Sequence, residues 1–372
     1  MLVTGPRQIG KTRLVRATFP DHAYVSLDLP SEAALADEDP AAFLRRNPPP
    51  LVVDEVQYAP GLFRHLKAAI DHHRDQPGQF ILTGSQRLPL MSNVTESLAG
   101  RVDVIELEGL TWNEIRAARP GTTLEEAVVR GGFPELYEKP ELEADAWFRS
   151  YVATCLERDV RQLHAVGSLR DFERLLRAAA LRTAGLLNKA DLARDVGVSG
   201  PTAAAWLSVL QATGHVTLLE PWFSNATRSL TKSPKLYLSD SGLCAFLVGL
   251  HSPAELDASP LGGSLFETFA FSQLRRAQVN GHGGWSLWFW RDRSKEADFL
   301  LHRAGRFDLA DAKLSTHPSA RDTQPLRRVA AELPQGTVRS LSLLCRAPHP
   351  YPLGAGAWAL PVGDPWPQEE RA

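Results

Sequence analysis

The sequence predicts an α/β protein whose first third is a parallel sheet wrapped by helices. Three observations carry that expectation. Residues 1–110 alternate short β-rich runs with helical ones, the pattern of strand–helix–strand units. The segment Gly5-Pro6-Arg7-Gln8-Ile9-Gly10-Lys11-Thr12 stands between the first such strand and the first helix. The apolar run Leu51-Val52-Val53 then ends on the acidic pair Asp54-Glu55, where a buried strand would deliver both carboxylates to the carboxyl edge of the sheet.

The strand candidates are Met1–Thr4, Ala23–Leu29, Leu51–Val53, Phe80–Thr83 and Val102–Leu107, with helices such as Lys11–Ala17 and Leu62–His73 between them. Residues 111–165 read as a helical lid around the turn Gly131-Gly132-Phe133-Pro134. From Phe172, apolar residues recur at helix spacing. Two short helices follow: Lys189–Val196, capped by Asn188 and stopped at Gly197, and a second that starts at Ser199 and Pro201. Two β-like runs close this part (Val216–Leu219 and Lys235–Leu238), which is the order of a winged helix-turn-helix over 166–250. The last region, 260–372, opens with a helix (Leu265–Ala277). It continues with β-rich runs at Ser286–Trp290, Ala297–His302, Phe307–Lys313, Val338–Leu344 and around Trp358–Val362.

Bulk properties exclude several classes. A formal net charge of −2 gives no global attraction to nucleic acid or anionic membrane, so any DNA contact needs a local basic patch. Cys155, Cys244 and Cys345 are odd in number and far apart, as expected of a reducing cytoplasm and not of a disulfide or zinc framework. No run approaches the roughly 18 apolar residues of a membrane span.

Residues 5–12 match G-x-x-x-x-G-K-[ST]. Its glycines let backbone N–H groups wrap a phosphate at a helix start. Lys11 would reach the β- and γ-phosphates of ATP and Thr12 would ligate Mg²⁺. Asp54 would hold the Mg²⁺ shell, and Glu55 would orient and deprotonate the attacking water. Thr83 or Ser85 would sense the γ-phosphate, or else simply cap the end of their strand. Arg101 would contact a γ-phosphate of its own or a neighbouring subunit in a homo-oligomer, unless it is a plain surface charge. Asn188-Lys189-Ala190-Asp191 imitates a guanine-reading motif. It lies in the helix-turn-helix, and Asp54-Glu55-Val56-Gln57 is not the D-x-x-G that should accompany it, so ATP is expected over GTP.

The series GPRQIGKT, LVVDEVQ, LTGSQ, SLAGRV, GGFPELY, ERDV, EADFLL and DAK resembles, nearly end to end, a family of bacterial and archaeal AAA-type P-loop ATPases with a C-terminal domain of unknown function. The resemblance implies a RecA/AAA-like core, a winged-helix middle and a restriction-endonuclease-like C-terminal fold. Members of that family carry a segment ahead of the first strand that helps form the base pocket. Only four residues precede Gly5 here, so the adenine side is expected to be incomplete.

Nucleases of that type hold Mg²⁺ with acids at strand ends, while a Lys assists the water. The matching positions are Asp298, Asp311 and Lys313 on adjacent β-runs, with Glu267 on the preceding helix. With eight Lys and 43 acids in the chain, about one [DE]-x-K triplet is expected by chance. Only the combination therefore carries weight, and a degenerate nuclease fold used for binding or assembly stays open. The second helix of the helix-turn-helix contains no Lys or Arg, which weakens a DNA-reading role; Arg228, Lys232 and Lys235 near the wing would have to compensate. Two functions remain: a Mg²⁺-dependent ATPase acting on DNA, with or without cleavage, and a nucleotide-controlled switch binding DNA or protein.

Overall fold

A computed structural model describes residues 1–72, 74–85, 96–156, 168–223, 233–281, 284–292 and 295–364. Several sequence expectations (His73, Arg228, Lys232, the ERDV segment and the last residue of LTGSQ) lie outside these. The chain forms two compact units, Met1–Glu108 with Ala212–Gly214, and Gly109–Gln211 with His215–Ala372.

The first unit runs β1 (Leu2–Thr4), α1 (Lys11–Thr18), β2 (Ala23–Ser26), α2 (Pro30–Glu38), α3 (Pro40–Arg46), β3 (Leu51–Asp54), a single 3-10 turn (Val56–Tyr58), α4 (Leu62–His72), β4 (Phe80–Gly84) and β5 (Val104–Glu106). Its five strands are ordered β2-β3-β4-β1-β5 and every pair is parallel. Both faces are covered, which is why β3 reads as an unbroken apolar run. Leu51 and Val53 join Leu2, Phe43, Phe63 and Leu82 on one side, while Val52 packs with Val3, Val15 and Ile81 on the other. The carboxyl ends of β1, β4 and β3 are consecutive neighbours, so the Gly-rich loop, Thr83–Ser85 and Asp54 share one edge. Helices α2 and α3 are not named in the sequence reading, although each has a Pro in its first turn: α2 shows almost no amphipathic stripe, and α3 has only seven residues.

The second unit opens with helices α5 (Trp112–Ala118), α6 (Leu124–Arg130), α7 (Pro134–Glu138) and α8 (Ala144–Tyr151). After them come α9 (Leu169–Ala180), β6 (Gly185–Leu186), α10 (Lys189–Val196), α11 (Gly200–Ala212), β7 (Val216–Leu219) and β8 (Lys235–Leu238). Strands β6-β8-β7 make a small antiparallel sheet. Helices α12 (Ser241–Val248), α13 (Pro253–Ala258) and α14 (Gly262–Val279) lead into β9 (Ser286–Asp292), β10 (Lys295–Arg303), β11 (Arg306–Ala312), α15 (Gln324–Ala330), β12 (Val338–Cys345), β13 (Tyr351–Gly354) and β14 (Ala357–Pro361). This second sheet is mixed, in the order β13-β14-β12-β11-β10-β9: β9, β10 and β11 are antiparallel, and β11, β12 and β14 are parallel.

The Gly131-Gly132 turn is explained by close approach. A Cβ on Gly131 would meet Asp240 Oδ1 at 2.2 Å, and one on Gly132 would meet the Arg276 guanidinium at 2.6 Å. Asp240 caps α12 through Gly242 N–H and Leu243 N–H and also accepts from Gly132 N–H at 2.7 Å. Among the described residues no helix is long and apolar enough to cross a membrane.

Candidate functional site

The Gly-rich loop is built by backbone necessity. Gly5 has φ 147°, and a Cβ there would fall 2.1 Å from the Leu107 carbonyl oxygen. Gln8 and Gly10 also have positive φ, at 59° and 92°, and Ile9 anchors the loop by burial. Helix α1 begins with no side-chain cap and no acidic residue in its first turn. Its leading N–H groups and the positive end of its dipole are therefore available to an anion. The Lys11 ammonium is drawn inside the loop, donating to the carbonyls of Gly5 (2.9 Å) and Pro6 (2.7 Å).

Asp54, buried at the end of β3, gathers three hydroxyl donors. Thr12 Oγ1 lies 3.0 and 3.1 Å from its two oxygens, Tyr24 OH donates at 2.8 Å, and Thr83 Oγ1 donates as well. Burial first, and then the bond to Asp54, pushes the Tyr24 phenol up to about 12. Glu55 has left-handed backbone (φ 57°, ψ 44°) and donates its N–H to Thr83 Oγ1 at 3.2 Å. Its Oε2 accepts from Ser85 Oγ at 3.2 Å and from Gln57 Nε2. A hydroxyl beside a buried carboxylate at the mouth of a phosphate loop fits Mg²⁺, an ion that takes one or two protein oxygens and completes its shell with phosphate and water. Tyr24 and Gln57 carry no role in the sequence reading; the signal for Tyr24 was a hydroxyl on the strand that neighbours β3.

Arg101 requires a correction. It precedes a parallel strand and so lies at the amino edge of the sheet, opposite the Gly-rich loop. There its guanidinium pairs with Asp71 at 2.7 and 3.1 Å. A contact with its own chain's γ-phosphate does not fit this topology.

The second unit brings Glu267, Asp298, Asp311 and Lys313 into one neighbourhood, but with an occupant the sequence reading missed. Lys235 extends from β8 at 2% exposure. Its Nζ lies 3.0 Å from Glu267 Oε1, 2.9 Å from Asp298 Oδ1 and 3.0 Å from Glu296 Oε1. Tyr237 OH donates to the same Glu267 oxygen at 2.6 Å. Asp298 and Asp311 are joined through backbone: Asp298 N–H donates to Asp311 Oδ1, and Ala312 N–H to Asp298 Oδ2, each at 3.1 Å. Lys313 Nζ stands 3.6 Å from Asp311 Oδ2.

Burial, and then the charge of Asp298, pushes the Glu267 and Asp311 carboxyls each up to about 7. Burial alone would lower Lys235, but Asp298, Glu267 and Glu296 outweigh it and hold the ammonium charged. Two expectations change. Lys235 is not a surface cation of a DNA-binding wing. Nor do Glu267, Asp298 and Asp311 form an open metal site: among the described residues no three His, Cys, Asp or Glu side chains converge as metal ligands, and an ammonium stands between Glu267 and Asp298.

The fold and the Gly-rich loop define an AAA-domain protein, and comparison with known sequences agrees. The model described as "AAA domain" matches residues 1–116, and two described as domains of unknown function, DUF8612 and DUF4143, match 121–254 and 262–364. The uncharacterized protein Rv2008c of Mycobacterium tuberculosis is 30% identical over 367 residues, covering 97% of this chain and 80% of the relative. The uncharacterized protein Mb2031c of Mycobacterium bovis gives the same values. The chain belongs to the family of these mycobacterial proteins. Among solved structures, a point variant of Thermotoga maritima RuvB is similar at 19% identity and a TM-score of 0.30, over 62% of this chain and 86% of that one. Aeropyrum pernix Orc1 in complex with DNA is similar at 15% and 0.26, over 68% and 87%. Overlap this partial carries no argument about function.

Proposed function

We propose that this chain binds ATP with Mg²⁺ at residues 5–12 and hydrolyses it. The observation that carries the reading is the Thr12 hydroxyl 3.0 Å from the Asp54 carboxylate, beside an uncapped helix start and a buried Lys. Lys11 turns from the loop carbonyls to the β- and γ-phosphates, and the backbone N–H groups of Gly5 to Thr12 surround them. Thr12 and Asp54 hold the cation, which when bound supplies Lewis acidity to the phosphate oxygens. The oxygen of a water bonds to the γ-phosphorus as the bond to the β–γ bridging oxygen breaks. Glu55 takes the water's proton and ADP leaves with the bridging oxygen. Thr83 orients Asp54, and Ser85 faces Glu55 at the γ-phosphate side. In a homo-oligomer Arg101 serves a neighbouring subunit's γ-phosphate after leaving Asp71. Lys11→Ala should abolish turnover, and Glu55→Gln should keep ATP bound while blocking its hydrolysis; turnover persisting in Glu55→Gln removes Glu55 as the base.

For the second unit, the element order of 166–250 supports a winged helix, and α14 followed by β9–β12 supports a restriction-endonuclease-like fold. The Lys235 ammonium among Glu267, Glu296 and Asp298 favours the non-cleaving reading: a nucleotide-controlled module that binds a partner. Exposed positions on α11 include Pro201, Ala205 and Ser208 and none is charged, which supports a protein partner over DNA. Incubation with DNA and Mg²⁺ should give no cleavage, whereas cleavage lost in Asp298→Ala would reinstate the nuclease.

A further inference from the structure

Gln57 lies in the 3-10 turn directly after Glu55 and is buried, at 8% exposure. Its two polar atoms have unequal surroundings. Nε2 donates to Glu55 Oε2 and lies 3.5 Å from Ser85 Oγ. Oε1 is buried with no hydrogen-bond partner among the described residues. The orientation follows from chemistry: a carboxylate only accepts, so the NH₂ must face Glu55 and the carbonyl oxygen is the atom left over.

A buried acceptor left unpaired is rare and costs stability. An apolar side chain of the same shape would avoid that cost. Such an atom beside a reactive carboxylate implies a partner that arrives with the reaction. Glu55 adds to the case, because its left-handed backbone is a further local strain of the kind found at functional sites.

We propose that Gln57 is a positioning residue for ATP hydrolysis, holding the Glu55 carboxylate with its N–H and accepting a hydrogen from the attacking water with its carbonyl oxygen. With one water hydrogen on Glu55 and the other on Gln57, a lone pair of the water oxygen is left facing the γ-phosphorus. Ser85 Oγ donates to the same Glu55 oxygen as Gln57, at 3.2 Å, so the two together keep the carboxylate from rotating away and leave Glu55 Oε1 to the water. This inference rests on the assignment of Glu55 as the base.

The test is Gln57→Met in the full chain, which keeps the volume and removes both polar atoms. Steady-state kcat and KM with MgATP are measured, with the Kd of a non-hydrolysable ATP analogue and the thermal unfolding midpoint. Losing the positioned water lowers kcat by about 10- to 100-fold, while KM and Kd stay within about threefold. The unfolding midpoint holds or rises, since a buried orphan acceptor has been removed. A structural amide gives the opposite pattern. The proposal is overturned by a kcat near that of the parent, by a Kd that weakens in step with kcat, or by a midpoint that falls with it. Should Gln57→Met not fold, Gln57→Ala is read by the same criteria. Glu55→Gln is assayed alongside. If it is inactive while Gln57→Met is not, only the role of Gln57 fails; if it turns over ATP, the base assignment itself is wrong.

Discussion

Asp54 accepts from Thr12, Tyr24 and Thr83 at once, and each donor comes from a different element. Thr12 stood out in the sequence because its motif is local: eight consecutive residues specify the loop, the hydroxyl proposed as cation ligand and the helix start. Tyr24 was not, because its tie to Asp54 depends on β2 pairing with β3 in the register Tyr24↔Val52 and Ser26↔Asp54, which alternates side chains so that Tyr24 and Asp54 share a face. A hydroxyl that fixes a metal-binding carboxylate from outside typically matters through cation affinity. Tyr24→Phe keeps the ring and its contact with the Arg16 guanidinium but removes the donor. The Mg²⁺ concentration for half-maximal ATPase activity should rise by about threefold to tenfold, the net worth of one ordinary hydrogen bond. Magnesium titration of the two proteins checks this, and coincident curves would reduce Tyr24 to packing.

Elements with a clear apolar run or their own end signals were readable, such as the four-residue β7 and β8, whereas the nine-residue α2, without an amphipathic stripe, was not. Helix α10 carries its own punctuation, Asn188 accepting from two first-turn N–H groups and Gly197 closing it in left-handed backbone. The two-residue β6 has too little sequence to show a period, yet it completes the sheet that places β8. The junction before β7 holds another feature no periodicity reveals: His215 is fully enclosed, with the Tyr151 hydroxyl 2.9 Å from its Nε2. Burial pushes its pKa down to about 4 from 6.5. The folded form thus refuses a proton that the unfolded chain accepts between those values. Stability is whole above pH 6.5 and declines as pH falls toward 4, by up to about 3 kcal/mol from this group alone. Denaturant unfolding from pH 7 to pH 4 should show that decline, and His215→Gln, which cannot titrate, should lose most of it. An identical pH profile in the variant would assign the acid sensitivity elsewhere.

At the scale of the whole molecule, the second unit is fastened by a charge. Lys235 leaves β8, within the segment matched to one domain of unknown function, and reaches acids on α14 and β10, within the segment matched to another. Glu267 and Asp298 were singled out through the family resemblance and their combination with Asp311 and Lys313, and not through spacing alone. Their cation was not, because it lies 32 residues before Glu267 and 63 before Asp298 and meets them only through the fold. Removing one partner of a buried ionic group strands the others, at roughly 3–5 kcal/mol, whereas replacing the group together is far milder. Lys235→Met should therefore destabilise the second unit strongly, and adding Glu267→Gln should restore part of the loss; hydrogen exchange across β8, α14 and β10 reports both. The same cluster decides between ammonium and metal. In an Asp54→Ala background, which removes the carboxylate of the proposed cation site in the first unit, added Mg²⁺ should leave the unfolding midpoint of the second unit unmoved, since a ligand stabilises only the state that binds it. A magnesium-dependent rise there would mean that the cation displaces Lys235, and the acids would again be candidates for a nuclease centre.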